Sequence, residues 1–166
     1  MDLDDAVRLL APKLLGYCML ETGDPSLAEE IAQDTLTALV QRWRRYGPPD
    51  SSAAFVFAIA RRRLARAAVR RRLWRPLEDA FGHHDGRPNP EQATAGLEER
   101  DRVVRALSRL RHPDRQMLLL AVVWGMNLEQ AAQMLGISLS AAKMRSLRAR
   151  QRLRELLEEG NGHGHR

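Results

Sequence analysis

Residues 127–153, NLEQAAQMLGISLSAAKMRSLRARQRL, decide the fold of the C-terminal half of the chain. Asn127 carries the side chain of an N-cap, and Gln130 follows three residues later, where it can complete a capping box. Gly136 comes directly after an apolar helical pattern, at a position where helices commonly end in a left-handed residue. Ser138 is the expected N-cap of a second helix. The pattern predicts a helix-turn-helix with a short connection, as its DNA-binding form requires.

The second of these helices has an apolar stripe on one side and cations around most of the remainder. An inward stripe anchors a helix and leaves its cations free to meet phosphates and base edges. An ordinary amphipathic helix with a solvated basic face is the alternative, and the capped helix and short turn before it make that alternative less favoured. The stripe consists of Ala142, Ala149, Leu153 and Leu156, and the cations are Lys143, Arg145, Arg148, Arg150, Arg152 and Arg154.

The composition favours a polyanionic partner. The 166 residues include 27 Lys and Arg against 21 Asp and Glu, a net charge of +6, and 44% hydrophobic residues, enough to build real cores. Charge alone does not separate nucleic acid from an anionic membrane surface. Only Lys13 and Lys143 are lysines, so 27 − 2 = 25 of the cations are arginines. Arginine suits phosphate and guanine, but a GC-rich genome gives the same bias.

Several functional classes are disfavoured by what the sequence lacks. Cys18 is the single cysteine, so an intramolecular disulfide is excluded, and its apolar surroundings predict a core thiol rather than a nucleophile. No apolar run reaches about 18 residues and the N-terminus is acidic, so we expect no membrane insertion and a cytoplasmic protein. The five histidines, including adjacent His83 and His84, form no triad or metal-ligand spacing. We therefore expect no enzyme, no cofactor and no metal.

The first 46 residues predict two helices. Residues 3–20 repeat apolar side chains at helical spacing, with Pro12 either opening a second helical segment or kinking the first. Asp24 and Pro25 form a start signal for the next helix. Its apolar face contains Leu27, Ile31, Leu39 and Trp43. Off that stripe lies an acidic and polar surface, made of Glu29, Glu30, Gln33, Asp34 and Thr37.

A third helix is predicted for residues 53–73, after a loop rich in helix breakers at residues 47–52. One residue of Asp50, Ser51 and Ser52 is expected to cap it. Tyr46, Phe55 and Phe57 lie near its start, where aromatic rings beside cations either stack on unpaired bases or belong to the core. Its inward stripe is Val56, Ile59, Ala60, Leu64, Ala67 and Ala68, and its outward or terminal arginines are Arg61, Arg62, Arg66, Arg70, Arg71 and Arg72.

Periodicity fails between residues 74 and 95, where prolines and glycines predict a linker between two domains. Residues 97–110 are again helical, with Val103, Val104, Leu107 and Leu110 inward. Asp114 is a candidate cap for the next helix, and the apolar run 117–124 is the expected centre of the second domain. The sequence thus predicts an all-α fold of two small helical domains joined by a flexible linker. We place the domains at residues 1–73 and 96–159, the linker at 74–95, and a disordered tail at 160–166.

The order of these pieces resembles the extracytoplasmic-function (ECF) class of bacterial RNA polymerase sigma factors over residues 9–157. TGDPSLAEEIAQDTLTAL resembles that family's polymerase-binding segment, FVFAIARRRLARAAVRRR its minus-ten-reading helix, and residues 106–153 its minus-thirty-five-reading domain. The two domains then correspond to sigma regions 2 and 4. The resemblance implies that the protein binds core RNA polymerase and promoter DNA, directs transcription initiation, and is controlled by an anti-sigma factor. It performs no covalent chemistry.

The resemblance also implies roles for individual residues. The loop 47–52 would help to hold a flipped base, and the linker would thread toward the active-site channel. Polymerase contacts would fall on Glu30, Gln33, Asp34 and Thr37; minus-ten contacts on Arg61, Arg62, Arg66 and Arg70; and minus-thirty-five contacts on Ser140, Lys143, Met144, Arg145 and Arg148.

The chain departs from the family pattern at several positions. Arg66 stands where the family usually has an aspartate, so a local salt bridge or cap is expected to be missing. In the reading domain the usual larger aliphatic or threonine side chains are replaced, and Leu147 lies one step from the usual leucine position. These changes predict a thinner core, at about 1 kcal/mol or more per lost pair of methyl groups. The replacing residues are Ala131, Ala141, Ala142 and Ser146.

A stand-alone helix-turn-helix regulator that binds duplex DNA without polymerase is the alternative function. Such a protein would normally carry a ligand-binding or receiver domain. The first 95 residues show neither strand alternation nor an acidic phosphorylation pocket, so the sequence favours the sigma factor.

Overall fold

The computed structural model describes the backbone of residues 1–81 and 95–161 and the side chains of residues 1–72 and 98–160. All regular elements in these ranges are helices, which confirms the predicted all-α fold. The chain divides into two compact units, Met1–Pro88 and Asn89–Arg166. His83, His84 and the last five residues, 162–166, lie outside the described residues.

The first unit consists of α1 (Leu3–Thr22), α2 (Pro25–Tyr46) and α3 (Ser52–Phe81), each of which packs against the other two. Asp24 accepts a hydrogen bond from the Leu27 amide at 3.2 Å, as expected of an N-cap followed by proline. Ser51 is the cap of α3, because its Oγ accepts from the Ala54 amide at 3.2 Å. Pro12 lies inside α1 and its ring is exposed, so one helix, rather than two, covers this segment.

The core of this unit lies between the inner faces of the three helices. The rings of Tyr17 and Phe57 meet there with their centroids 5.2 Å apart and tilted by 33°, a favourable aromatic arrangement. Phe57 is therefore a core residue and is not available to stack on a base, whereas Phe55 is half-buried and Tyr46 is exposed. The other large core side chains are Leu10, Leu14, Ile31, Leu39, Val56 and Leu64.

Helix α3 differs from its prediction in two respects. Its backbone stays helical to Phe81, so the first eight residues of the predicted linker continue this helix. The predicted end of the helix relied on Pro76, but a single proline can remove one helical hydrogen bond without ending the helix. The first glycine after residue 73 is Gly82. Ala68 was expected to face inward but is exposed, because the inward stripe narrows to Leu64 and Ala67.

The second unit contains α4 (Ala95–Ser108), α5 (His112–Leu118), α6 (Leu128–Leu135) and α7 (Leu139–Asn161). A π-helical turn, Leu119–Val123, continues α5 and ends before Gly125, which has a left-handed φ of 66°. Met117, Leu120 and Trp124 are buried, as predicted for the centre of this domain. Helix α7 packs against α4, α5 and α6, so it forms the spine of the unit.

Three positions in this unit differ from their predictions. Asp114 lies inside the first turn of α5 rather than before it, and its buried carboxylate accepts from Arg111 Nε at 3.0 Å. A carboxylate at that place also complements the helix dipole. Val104 of α4 and Val122 of the π-helical turn are exposed, so the buried face of each segment is narrower than its apolar pattern predicted.

Replacing Phe57 with alanine should destabilise the first unit by about 3–5 kcal/mol, because it removes a fully buried ring and leaves a cavity. Tyr46→Ala is the matched control: its ring is exposed, and we expect a change within about 0.5 kcal/mol. Urea unfolding followed by circular dichroism measures both. Equal stability of the two variants would contradict the assignment of Phe57 to the core.

Candidate nucleic-acid interface

The turn between α6 and α7 is fixed by local hydrogen bonds. Asn127 Oδ1 accepts from the Gln130 amide at 2.8 Å, and Gln130 Oε1 accepts from the Asn127 amide at 3.0 Å. Gly136 ends α6 with a φ of 65°, a left-handed conformation that is unfavourable for residues with a Cβ. Ser138 Oγ then accepts from the Ala141 amide at 3.1 Å and starts α7. These are the predicted caps and turn of a helix-turn-helix, and they set the direction of α7.

Small side chains hold α6 and α7 together. Ala131, Ala132 and Ala142 are all buried where the two helices pack together. Ala149 is also buried, but in the core that α7 forms with Ala106 and Leu118. Ser146 is also buried, whereas Leu147 is exposed. Most of the positions at which the sequence departs from the family pattern thus face the core of this unit, while Ala141 faces solvent.

The residues predicted to meet DNA on α7 lie together in its first half. Ser140, Lys143, Met144 and Arg148 are exposed, and Arg145 is half-buried at the edge of the exposed face. Because α7 continues for several turns beyond them and packs against α4 and α5, this half of the helix is presented from a rigid base. We refer to these five residues as the α7 basic face.

The second half of α7 is electrostatically different. Arg152 lies 2.9 Å from Glu155 and 3.5 Å from Glu159, and Arg109 of α4 lies 3.2 Å from Glu159. The hydrogen bond that Arg152 donates to Glu155 raises the pKa of the Arg152 guanidinium, and Glu159 acts in the same direction. These carboxylates offset the cations near the C-terminal end, so the positive field of the helix is concentrated on the α7 basic face.

A second row of cations lies on α3, formed by Arg61, Arg62, Arg66 and Arg70, all of which are exposed. Arg62, Arg66 and Arg70 are spaced four residues apart, a spacing at which like charges repel by a few tenths of a kcal/mol per pair. A polyanion would remove that repulsion. We call this set the α3 arginine row.

Two other arginines of α3 are engaged within the unit. Arg71 donates to the Thr22 carbonyl at 3.0 Å and to Asp24 Oδ2 at 3.3 Å, which ties α3 to the cap between α1 and α2. Arg63 contacts Asp34 of α2 at 2.6 Å. Neither ion pair could be predicted from local sequence, because the partners are far apart along the chain. Arg63 and Arg71 therefore hold α3 against its neighbours within the unit.

The predicted polymerase-binding residues form one exposed strip along α2: Glu30, Gln33, Asp34 and Thr37, the α2 polar face. Thr37 Oγ1 donates to the Gln33 carbonyl at 2.9 Å, so its hydroxyl is partly engaged by its own helix. Asp34 is shared between this strip and Arg63. The ion pair is exposed on both sides, and such pairs contribute only about 0.2–1 kcal/mol, so a partner could displace it.

The loop at residues 47–52 is anchored at its first residue. Arg42 donates to the Gly47 carbonyl at 2.8 Å, and Gly47 has a φ of 79°. The guanidinium carbons of Arg42 and Arg45 each lie 5.2 Å from the centre of the Tyr46 ring, which is 66% exposed. Ser52 is already part of α3 and is buried, so the exposed part of the loop ends at Ser51.

Comparison with known proteins identifies the family. The family model described as Sigma-70 region 2 matches residues 6–75, and that described as Sigma-70, region 4 matches residues 100–153. The ECF RNA polymerase sigma factor RpoE of Cereibacter sphaeroides is 31% identical over 146 residues, covering 87% of this chain and 80% of that protein. The RNA polymerase sigma factor CarQ of Myxococcus xanthus is 31% identical over 162 residues, covering 94% and 89%.

Two solved structures share the fold. The sigma factor RpoE in complex with the anti-sigma factor NepR from Bartonella quintana superposes with a TM-score of 0.67 at 24% identity, covering 95% of this chain and 97% of that one. CnrH in complex with the cytosolic domain of CnrY superposes with a TM-score of 0.64 at 23% identity, covering 95% and 88%.

The fold, the two family matches and the relatives define a sigma factor, a DNA-binding factor of transcription initiation. The chain belongs to the ECF class of RNA polymerase sigma factors. It directs RNA polymerase to promoters, as the sequence predicted, and the stand-alone regulator is not favoured.

Two further properties concern only the part of the chain that the structure describes. There, no helix is long and apolar enough to cross a bilayer. Over the same residues no group of three or more His, Cys, Asp or Glu side chains is arranged to hold a metal ion.

Cys18 should be inert in the folded protein. Burial, helped by the nearby charge of Glu21, raises the pKa of its thiol from 9.0 to about 12. A thiol-reactive disulfide reagent at pH 8 should label the unfolded chain fully and the native chain hardly at all. Rapid labelling of the native protein would contradict the buried position.

The same pKa shift predicts a pH dependence of stability. Above pH 9 the thiol of the unfolded chain ionises while the folded one stays protonated until about pH 12, so this group lowers stability as pH rises through that window. Cys18→Ala should remove that part of the slope in urea unfolding.

Proposed function

We propose that this sigma factor divides promoter recognition between its two units and uses α2 to hold polymerase. In this proposal residues 1–73 act as region 2, residues 96–159 as region 4, and the chain between them links the two. The observation that supports this proposal most strongly is the separation of charge. Helix α2 exposes acidic and amide side chains, whereas α3 and α7 expose rows of cations. One chain therefore offers one surface for a protein partner and two for DNA.

The α2 polar face is the proposed contact with core RNA polymerase. Glu30, Gln33, Asp34 and Thr37 are spaced so that one side of α2 presents all four. Such a strip supplies acceptors for arginine or lysine and an amide for mixed hydrogen bonding. Arg63 holds the Asp34 carboxylate close to this surface before polymerase arrives.

The α3 arginine row is the proposed contact with the minus-ten region. Its four guanidinium groups are suited to the phosphates of a strand separated from its partner. The loop at residues 47–51 lies at the start of this helix and would help to hold a flipped base. Arg42 fixes the loop through Gly47, which supports a role that needs a fixed backbone.

The α7 basic face is the proposed contact with the minus-thirty-five element. A recognition helix enters the major groove with its N-terminal part, and the exposed residues Ser140, Lys143, Met144 and Arg148 occupy the first three turns of α7. Arg145 is half-buried and would flank the groove, where an arginine meets phosphate rather than a base edge.

Regulation by an anti-sigma factor is part of this proposal, because both structural relatives were solved with a bound regulator: NepR in one and the cytosolic domain of CnrY in the other. We further propose that the protein works in the cytoplasm and catalyses no covalent reaction.

Replacing both Lys143 and Arg145 with alanine should weaken promoter binding by the holoenzyme. It should also flatten the dependence of log K on log salt by about one unit per lost phosphate contact. Arg109→Ala is the control, because Arg109 carries the same charge in the same unit but pairs with Glu159. Binding titrations at several salt concentrations measure the slope. An unchanged slope would remove both residues from the interface.

Asp34→Arg should abolish association with core RNA polymerase and leave the helical circular-dichroism signal unchanged, because Asp34 is exposed. The double variant Asp34→Arg with Arg63→Asp restores the ion pair with its polarity reversed. If Asp34 contacts polymerase, the double variant stays inactive in a core-binding assay. Recovery of binding would show that Asp34 acts only through Arg63.

A further inference from the structure

The centre of the exposed face of α7 carries no charge. An α-helix turns about 100° per residue, so the buried side chains Ala142, Ser146 and Ala149 define the inward direction. The residues on the opposite side recur at steps of four, three and four. They are Ser140, Met144, Leu147 and Gln151, all of them exposed, and we call them the α7 outward stripe.

Cations border this stripe on both sides. Lys143 and Arg150 lie along one edge and Arg148 lies along the other, each exposed. A helix about 10–12 Å wide fills a major groove about 12 Å wide, so edge cations reach the phosphates while the central stripe faces the base pairs. The charge pattern of α7 thus fits a groove with anionic walls and a neutral floor.

Two members of the stripe are apolar. Met144 is 56% exposed and Leu147 is 61% exposed, and they are three residues apart, which places their Cβ atoms about 5–6 Å from each other. Together they form a small apolar patch at the centre of a helix face that is otherwise polar or cationic.

The placement of Leu147 opposes ordinary core packing. Ser146 is buried while its neighbour Leu147 is exposed, although the reverse order would bury more apolar surface and expose a hydroxyl. Local choices that oppose packing are expected at functional positions. The exposed Leu147 is therefore available to an apolar group outside the unit.

We propose that Leu147, with Met144 beside it, reads the C5-methyl groups of thymine in the major groove, so that Leu147 sets a preference for thymine in the minus-thirty-five element. The methyl group of thymine is the only apolar group that a base pair presents on the floor of that groove. The proposal rests on the entry of α7 into the groove, as proposed above, and adds a residue and a base identity to it.

The test begins with holoenzyme assembled from the full chain and bacterial core RNA polymerase. Promoter duplexes are recovered from a pool with randomised base pairs upstream of the start site. In the tightest-binding duplex each thymine is then replaced, one at a time, by deoxyuridine, which removes only the methyl group. We expect uracil at one or two positions to weaken wild-type binding by about fourfold per methyl group.

Leu147→Ala should lower affinity for the thymine duplex by a similar factor and should no longer distinguish thymine from uracil at one of those positions. Val122→Ala is the control, because Val122 is 73% exposed in the same unit but lies outside α7; it should keep full discrimination. Both variants replace exposed side chains, so both should fold.

Leu147→Ala with undiminished discrimination between thymine and uracil would overturn the proposal. Two other results would overturn it at different levels. If no uracil position matters but the Lys143 and Arg145 variant still flattens the salt dependence, α7 enters the groove without reading methyl groups. If the salt dependence is also unchanged, α7 does not enter the groove at all.

Discussion

The close approach of α6 and α7 is the constraint on which the second unit depends. Ala131, Ala132 and Ala142 are small enough to let the two helices meet, and Gly136 and Ser138 set the turn between them. Larger side chains at these positions would separate the helices and tilt α7 away from its base on α4 and α5. Because α7 is fixed along one side by this packing, its opposite side becomes a rigid surface. The buried alanines of α7 therefore determine which way its cations and its outward stripe face.

Charge in this protein is sorted by ion pairs within the chain. Arginines occur along the whole sequence, and composition alone does not distinguish those that bind a partner from those that hold the fold together. The structure separates them: Arg63 and Arg71 bind carboxylates of α2 and of its cap, and Arg109 and Arg152 bind the carboxylates near the end of α7. Exposed cations outside these ion pairs include the α3 arginine row and those of the first half of α7. Structural ion pairs thus concentrate the positive field where DNA is proposed to bind, while the α2 polar face stays acidic.

Features set by neighbours in sequence were predictable, and features set by distant contacts were not. The caps at Asp24, Asn127 and Ser138 and the end of α6 at Gly136 each depend on a few adjacent residues, so the sequence alone placed them correctly. Core membership depends on tertiary packing: Phe57 contacts Tyr17, 40 positions away, and was left open between core and base stacking. Ala68 and Val104 have inward spacing but are exposed, because spacing along one helix does not say where the neighbouring helices end. The pairing of Asp34 with Arg63 had no local signal in the sequence. The exposed position of Leu147, by contrast, could have been predicted by projecting residues 139–161 onto a helix, because it lies opposite the buried stripe.

Because the chain directs RNA polymerase to promoters, transcription from those promoters should require it. Run-off transcription tests this most directly, with purified bacterial core RNA polymerase and a pool of promoter fragments from the source genome, in the presence and absence of this chain. We predict transcripts that appear only when the chain is present and that start at a shared distance from a common sequence element. No chain-dependent transcripts, together with no association between the chain and core polymerase, would contradict the account.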